Sequence, residues 1–200
     1  MHKRSSAYNI SVMGILTALL LLQAFVPMFG YIRITPGVAI TTMHLTVIMG
    51  AVVLGTRSGA TLGLIWGVIS MTVAYVAPGD PLSLLLFRNP VIAIVPRVLC
   101  GLIAGLVFNQ LGKGIGSGKY TTAKMVAAGI SGALTNTLFV IGFTWLFYAQ
   151  RAASIVGNGA NSQNLGFVLI AMLGVNAVAE AIAAGIITPL LGRALLRFRR

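Results

Sequence analysis

Acidic side chains are almost missing: the 200 residues hold two, Asp80 and Glu180, against 14 lysines and arginines. Cysteine occurs once, as Cys100, and histidine twice, as His2 and His44. A lone thiol in an apolar run excludes a disulfide framework within the chain. Two acids and two histidines supply neither a metal-ligand cluster nor the grouped carboxylates that hold Mg²⁺ for phosphoryl transfer. No HExxH or GxSxG motif occurs, and His44 with Glu180 makes at most one acid–base pair without a nucleophile beside it. An enzyme is therefore not expected, and neither a metal nor a cofactor. Charged residues of both signs total 8%, whereas hydrophobic ones make up 58%. A soluble domain carries about 25% charged residues. Too little polar surface remains to keep a globule in water, so the chain is expected to live in a bilayer.

A membrane-crossing helix needs roughly 20 apolar residues. The sequence predicts six, at 7–29, 38–56, 58–77, 91–111, 123–149 and 164–192. They form one all-α integral membrane domain over residues 1–200. Pro36-Gly37 and Pro78-Gly79 with Pro81 punctuate the loops. The first apolar run is too long for a cleavable signal peptide. No segment alternates long enough to suggest a membrane β-barrel.

A formal charge of +12 raises the question of nucleic acid, and the positions of the cations answer it. Lys3, Arg4, Arg57, Lys113, Lys119, Lys124, Arg193, Arg197, Arg199 and Arg200 fall on one side of the predicted bundle. Arg33, Arg88 and Arg151 fall on the other, and Arg97 lies inside the fourth span. The positive-inside rule then puts both termini in the cytoplasm, and nucleic acid drops out as a partner. The stretch GKGIGSGKYT at 112–121 looks like a phosphate loop but fails on spacing. Lys113 stands where the first Walker glycine belongs, and Tyr120 where Ser or Thr would hold Mg²⁺. It reads as a cytoplasmic linker, so ATP hydrolysis is not expected of this chain.

Small residues mark helix contacts: Gly59, Gly63 and Gly67 recur every fourth position, as do Gly101 and Gly105. Gly14 and Ala18 form a further pair on the first span, suited to internal packing or to docking on another membrane protein. The remaining polar residues stand where they are costly. A charge at mid-bilayer costs about 2.5–3.5 kcal/mol on insertion scales and faces a protein interior or water-filled cavity. At 1.5 Å per residue, Arg97 and His44 lie about 9 Å deep, and Asn136 and Asn176 about 18–20 Å. Glu180 lies one turn further, on the face of Asn176. Together they outline an outward-facing pocket. Asn136, Asn176 and His44 each have a plainer reading as interhelical packing. Arg97 cannot shed its proton and follows Pro96, which breaks the helical ladder. It wants a carboxylate or phosphate, either a ligand's or that of Glu180. Trp145 and Tyr148 suit an aromatic belt, while Tyr75 and Phe87 could cap the pocket.

Four stretches carry a resemblance: ITTMHLTVIMGAVVLGTRSGATLGLIWG (40–67), PRVLCGLIAG (96–105), GALTNTLFVIG (132–142) and NAVAEAIAAGIITP (176–189). In this order they resemble the S components of energy-coupling factor (ECF) vitamin transporters, and most of all the pantothenate-specific branch. The resemblance implies a six-helix membrane protein that captures a vitamin from outside. It also implies partners: the transmembrane coupling protein EcfT and two cytoplasmic ATPases, EcfA and EcfA', which hydrolyse the ATP. The family's docking face carries an alanine-x-x-x-alanine pattern, matched here by Gly14 and Ala18, one residue off the pattern. Arg97, Asn136, Asn176 and Glu180 match the family's ligand-binding locations, with His44 beside them. Pantothenate suits the set, Arg97 taking its carboxylate. Riboflavin would want more aromatic stacking, and folate a larger cavity. The alternative from another class is a solitary proton-coupled carrier using Glu180 and His44. The chain shows no inverted halves with matching broken helices to support it.

Overall fold

A computed structural model describes residues 6–26, 29–35, 38–77, 81–110, 121–156, 161 and 163–197. His2, Lys3, Arg4, Pro36, Gly37, Pro78, Gly79, Asp80, the linker at 112–120, Arg199 and Arg200 lie outside the described residues, as do the side chains of Arg33 and Arg197. Among the described residues, seven helices and one hairpin follow in order: α1 (Ser6–Phe25), β1 (Tyr31–Thr35), β2 (Val38–Thr41), α2 (Met43–Leu54), α3 (Thr56–Val76), α4 (Pro81–Phe87), α5 (Pro90–Gln110), α6 (Thr121–Val156) and α7 (Leu165–Arg197). Five of these helices, α1, α3, α5, α6 and α7, are long and apolar enough to cross a membrane.

The second predicted span resolves differently. Residues 38–41 pair antiparallel with 31–35, Tyr31 opposite Thr41 and Ile32 opposite Ile40. The β-branched residues of VAIT suit a strand, and a hairpin this short leaves no long alternating signal. The helical remainder, α2, has 12 residues. It rises about 18 Å, short of a hydrocarbon core about 30 Å thick. Every residue of α2 except Leu45 is buried. Its continuous hydrophobicity serves the middle of the bundle, which is why it reads like a span in sequence. The short helix α4 has no span-length signal in the sequence; it opens on Pro81, whose missing N–H costs nothing in a first helical turn. α6 runs past its expected end through a kink at Tyr148 (φ −134°, ψ 25°).

The glycine repeat does what its spacing suggests. A Cβ on Gly59 would collide with Ala51 and with the carbonyl of Gly101, and one on Gly63 with the carbonyl of Arg97. At Gly67 it would lie 2.7 Å from the Cα of Ile94. The backbones of α3 and α5 thus touch along three turns, and the α5 segment bearing Arg97 is pressed directly against α3. Gly63→Leu should therefore destabilise the protein by about 1–3 kcal/mol, the usual cost of overpacking. Thermal unfolding in detergent checks this. Gly14→Leu is the internal control, since a Cβ there meets nothing within 4 Å.

The core gathers around α2. Met43, Val47 and Ile48 of α2 pack with Leu20 of α1, Leu62 and Trp66 of α3, Cys100 and Ala104 of α5, Met125 and Ala128 of α6, and Ala184 of α7. The hairpin, the start of α2 and the start of α5 share one end of the bundle, the hairpin end.

Candidate functional site

Arg97 is 4% exposed. Its guanidinium carbon lies over the ring of Phe87, 4.5 Å from the centroid, and over that of Trp66 at 5.2 Å. Both are within cation–π range. Nη1 donates to the carbonyl of Ile92 at 2.8 Å. Three elements converge on this charge: α5 supplies it, while α3 and the last residue of α4 supply the rings. Phe87 thus takes the expected place beside the site. Tyr75 does not; it is 59% exposed and lies under Arg88, 5.1 Å from the guanidinium carbon.

Glu180 is also buried and lies within electrostatic reach of Arg97. Its Oε1 accepts the backbone N–H of Thr41 at 2.7 Å, so the end of β2 is tied to α7. A second tie fastens the same corner to α1. Thr46 Oγ1 donates to Gln23 Oε1 at 2.8 Å, and Gln23 Nε2 donates to Thr42 Oγ1 at 3.1 Å. Thr42 Oγ1 in turn donates to the carbonyl of Phe29 at 2.9 Å. Sequence reasoning missed Gln23, Thr41 and Trp66. A buried amide just after the run LLLL was the signal for Gln23. Trp66 lies three residues after Gly63, hence on the glycine face that meets α5.

Helix register places the rest. A Cβ on Gly132 of α6 would meet Ile48 Cγ1 of α2 at 2.9 Å and the Cβ of Ala104 of α5 at 3.1 Å. One turn from that level toward the hairpin end lie Asn136 on α6, His44 on α2 and Cys100 on α5. Asn136 and His44 therefore share a level of the interior, and His44 sits beside the backbone of Thr41 and Glu180. Asn176 is half-buried, one turn beyond Glu180 on α7. The five expected residues, Arg97, Asn136, Asn176, Glu180 and His44, thus all fall at levels of the hairpin half of the bundle.

Polar groups of the buried and half-buried positions sort into two groups. Thr135 and Thr144 donate to carbonyls one turn back, Ser131 and Val140, each at 2.7 Å, and so satisfy themselves within α6. By contrast, both ring nitrogens of His44, Trp66 Nε1, Ser70 Oγ and Asn136 Oδ1 are buried with no hydrogen-bond partner among the described residues. An unsatisfied buried polar group costs about 1–3 kcal/mol. The donor types do not form a metal site: no group of three His, Cys, Asp or Glu side chains occurs among the described residues.

A separate recess of about 690 Å³ on α6, lined by Leu138, Phe139, Gly142, Phe143, Trp145 and Leu146, offers no charge or amide. It suits hydrocarbon. Trp145 above it is exposed, as an aromatic belt requires, whereas the Tyr148 hydroxyl accepts from Asn89 Nδ2 at 3.3 Å. Gly14 and Ala18 are both exposed on α1 among the described residues.

Five helices long and apolar enough to cross a membrane, packed around an apolar core that holds a few buried polar residues, mark a multi-pass membrane protein. Residues 9–192 match the model of the family "ECF transporter, substrate-specific component", and the chain belongs to that family. It is 32% identical to the pantothenate transporter PanT of Leuconostoc mesenteroides, over 90% of this chain and 87% of that protein. It is 29% identical to the pantothenic acid transporter PanT of Lactococcus lactis, over 98% of both. It is a protein of the prokaryotic cell membrane.

Proposed function

We propose that this chain is the pantothenate-binding S component of an ATP-driven importer, taking the vitamin from outside and holding it near Arg97. Pantothenate has one carboxylate, one amide and two hydroxyls. Arg97 receives the carboxylate, and His44, Asn136, Asn176 and Glu180 hydrogen-bond the amide and hydroxyls. The observation that carries the reading is the arginine buried among apolar helices and steadied by two rings. A fixed cation in that setting stabilises an anion strongly, because little water screens it. The likeness to two pantothenate transporters supports the choice of vitamin.

The whole chain acts as one integral membrane domain with cytoplasmic termini. The hairpin and α2 together form the second of six segments, α2 being sheltered from lipid by its neighbours. ATP hydrolysis belongs to the partners EcfA and EcfA', and Gly14 and Ala18 offer EcfT a flat face where backbones can approach. Purified protein should be stabilised by pantothenate with no nucleotide present. Ligand at 100 times its Kd adds about 2.7 kcal/mol, which a thermal-shift panel of vitamins will resolve. Stabilisation by riboflavin or folate in place of pantothenate would overturn the choice of vitamin.

A further inference from the structure

In an α-helix the carbonyl of residue 92 accepts the N–H of residue 96. Here residue 96 is Pro96, inside α5, which has no N–H to give. The carbonyl of Ile92 is the acceptor taken up by Arg97 Nη1 at 2.8 Å. The side chain leans back toward the start of its helix, as helical geometry favours, and reaches a carbonyl that proline has withdrawn from the ladder. The same guanidinium is held over Phe87 and Trp66. Trp66 is fully buried and Phe87 comes from another element, α4.

We infer that Pro96 is a positioning residue for substrate binding: by releasing the Ile92 carbonyl it seats the Arg97 guanidinium against Trp66 and Phe87, and so sets selectivity for a carboxylate. This rests on the reading that Arg97 takes an anionic substrate. The arginine loses its rotamer freedom on folding rather than on binding, which is how preorganisation raises affinity. A guanidinium of fixed plane presents its N–H groups as a fork that matches a carboxylate but not an alcohol. A lysine in this place would have neither the plane nor the stacking.

Pro96→Ala restores the missing N–H. The new amide competes for Ile92, and alanine is well tolerated within a helix, so the variant folds. Its affinity for pantothenate should fall about tenfold, the worth of one charge-assisted hydrogen bond. Panthenol, which has an alcohol in place of the carboxylate, should bind within about threefold of its wild-type affinity. A second readout comes from fluorescence. In a Trp145→Phe background Trp66 is the only tryptophan of the two left, and its emission should shift when Pro96→Ala releases the cation over its ring. Equal losses for pantothenate and panthenol would show a merely structural role and overturn the inference. So would wild-type pantothenate affinity in Pro96→Ala, or an unchanged Trp66 emission, while Arg97→Ala abolishes binding; the reading of Arg97 would then stand. If Arg97→Ala itself binds pantothenate normally, that reading fails, and the seat with it.

Discussion

Arg97→Ala should weaken pantothenate binding by roughly a hundredfold or more, since truncating one partner of a buried charge pair costs about 2–5 kcal/mol. The size follows from the setting. At 4% exposure the guanidinium is hidden from water, so nothing in solvent replaces it when it is removed. Arg97→Lys should recover only a small part of the loss, because an ammonium cannot bridge a carboxylate with two parallel bonds. Panthenol should be much less affected than pantothenate. Calorimetric titration of both ligands into both variants measures all four affinities. Unchanged pantothenate binding in Arg97→Ala would remove the carboxylate from this site.

Gly14→Leu should do the reverse: it should leave binding intact and reduce ATP-driven uptake to background. A Cβ at this position meets nothing within 4 Å among the described residues, so folding and the interior should not register it. The consequence appears only where another backbone must come close, as small-residue helix contacts require. Proteoliposomes containing the chain with EcfT and both ATPases test this through uptake of labelled pantothenate, alongside a titration of the purified variant. Wild-type uptake by Gly14→Leu would move the docking face elsewhere. Uptake by the chain alone, driven by a pH gradient and lost in Glu180→Gln, would favour the proton-coupled carrier instead.

Much of the architecture is legible in the sequence because a bilayer leaves few options. Apolar runs of helical length must be helices, since hydrocarbon offers the backbone no partners, and five of them are. α2 shows where that argument fails. A helix buried by its own neighbours is as apolar as one buried by lipid, so composition cannot separate the two. The hairpin at 31–41 escaped for a different reason, being too short for its alternation to rise above the surrounding hydrophobicity. Arg97, Glu180 and His44 stand out in the sequence because each is expensive in an apolar interior, and all three are buried. Trp66 and Gln23 do not, because an indole is largely apolar and at home in an apolar core, and Gln23 lies near the end of α1. The bond from Thr41 to Glu180 joins residues far apart in the chain through a backbone N–H, and no side-chain pattern records that.

The central claim is that this membrane protein binds pantothenate by itself. A calorimetric titration of the purified wild-type chain with pantothenate, in detergent and without nucleotide or partner subunits, tests it most directly. The account predicts saturable binding of one pantothenate per chain, lost in Arg97→Ala. Absence of binding by the folded wild-type protein, or binding of equal strength in Arg97→Ala, would contradict it.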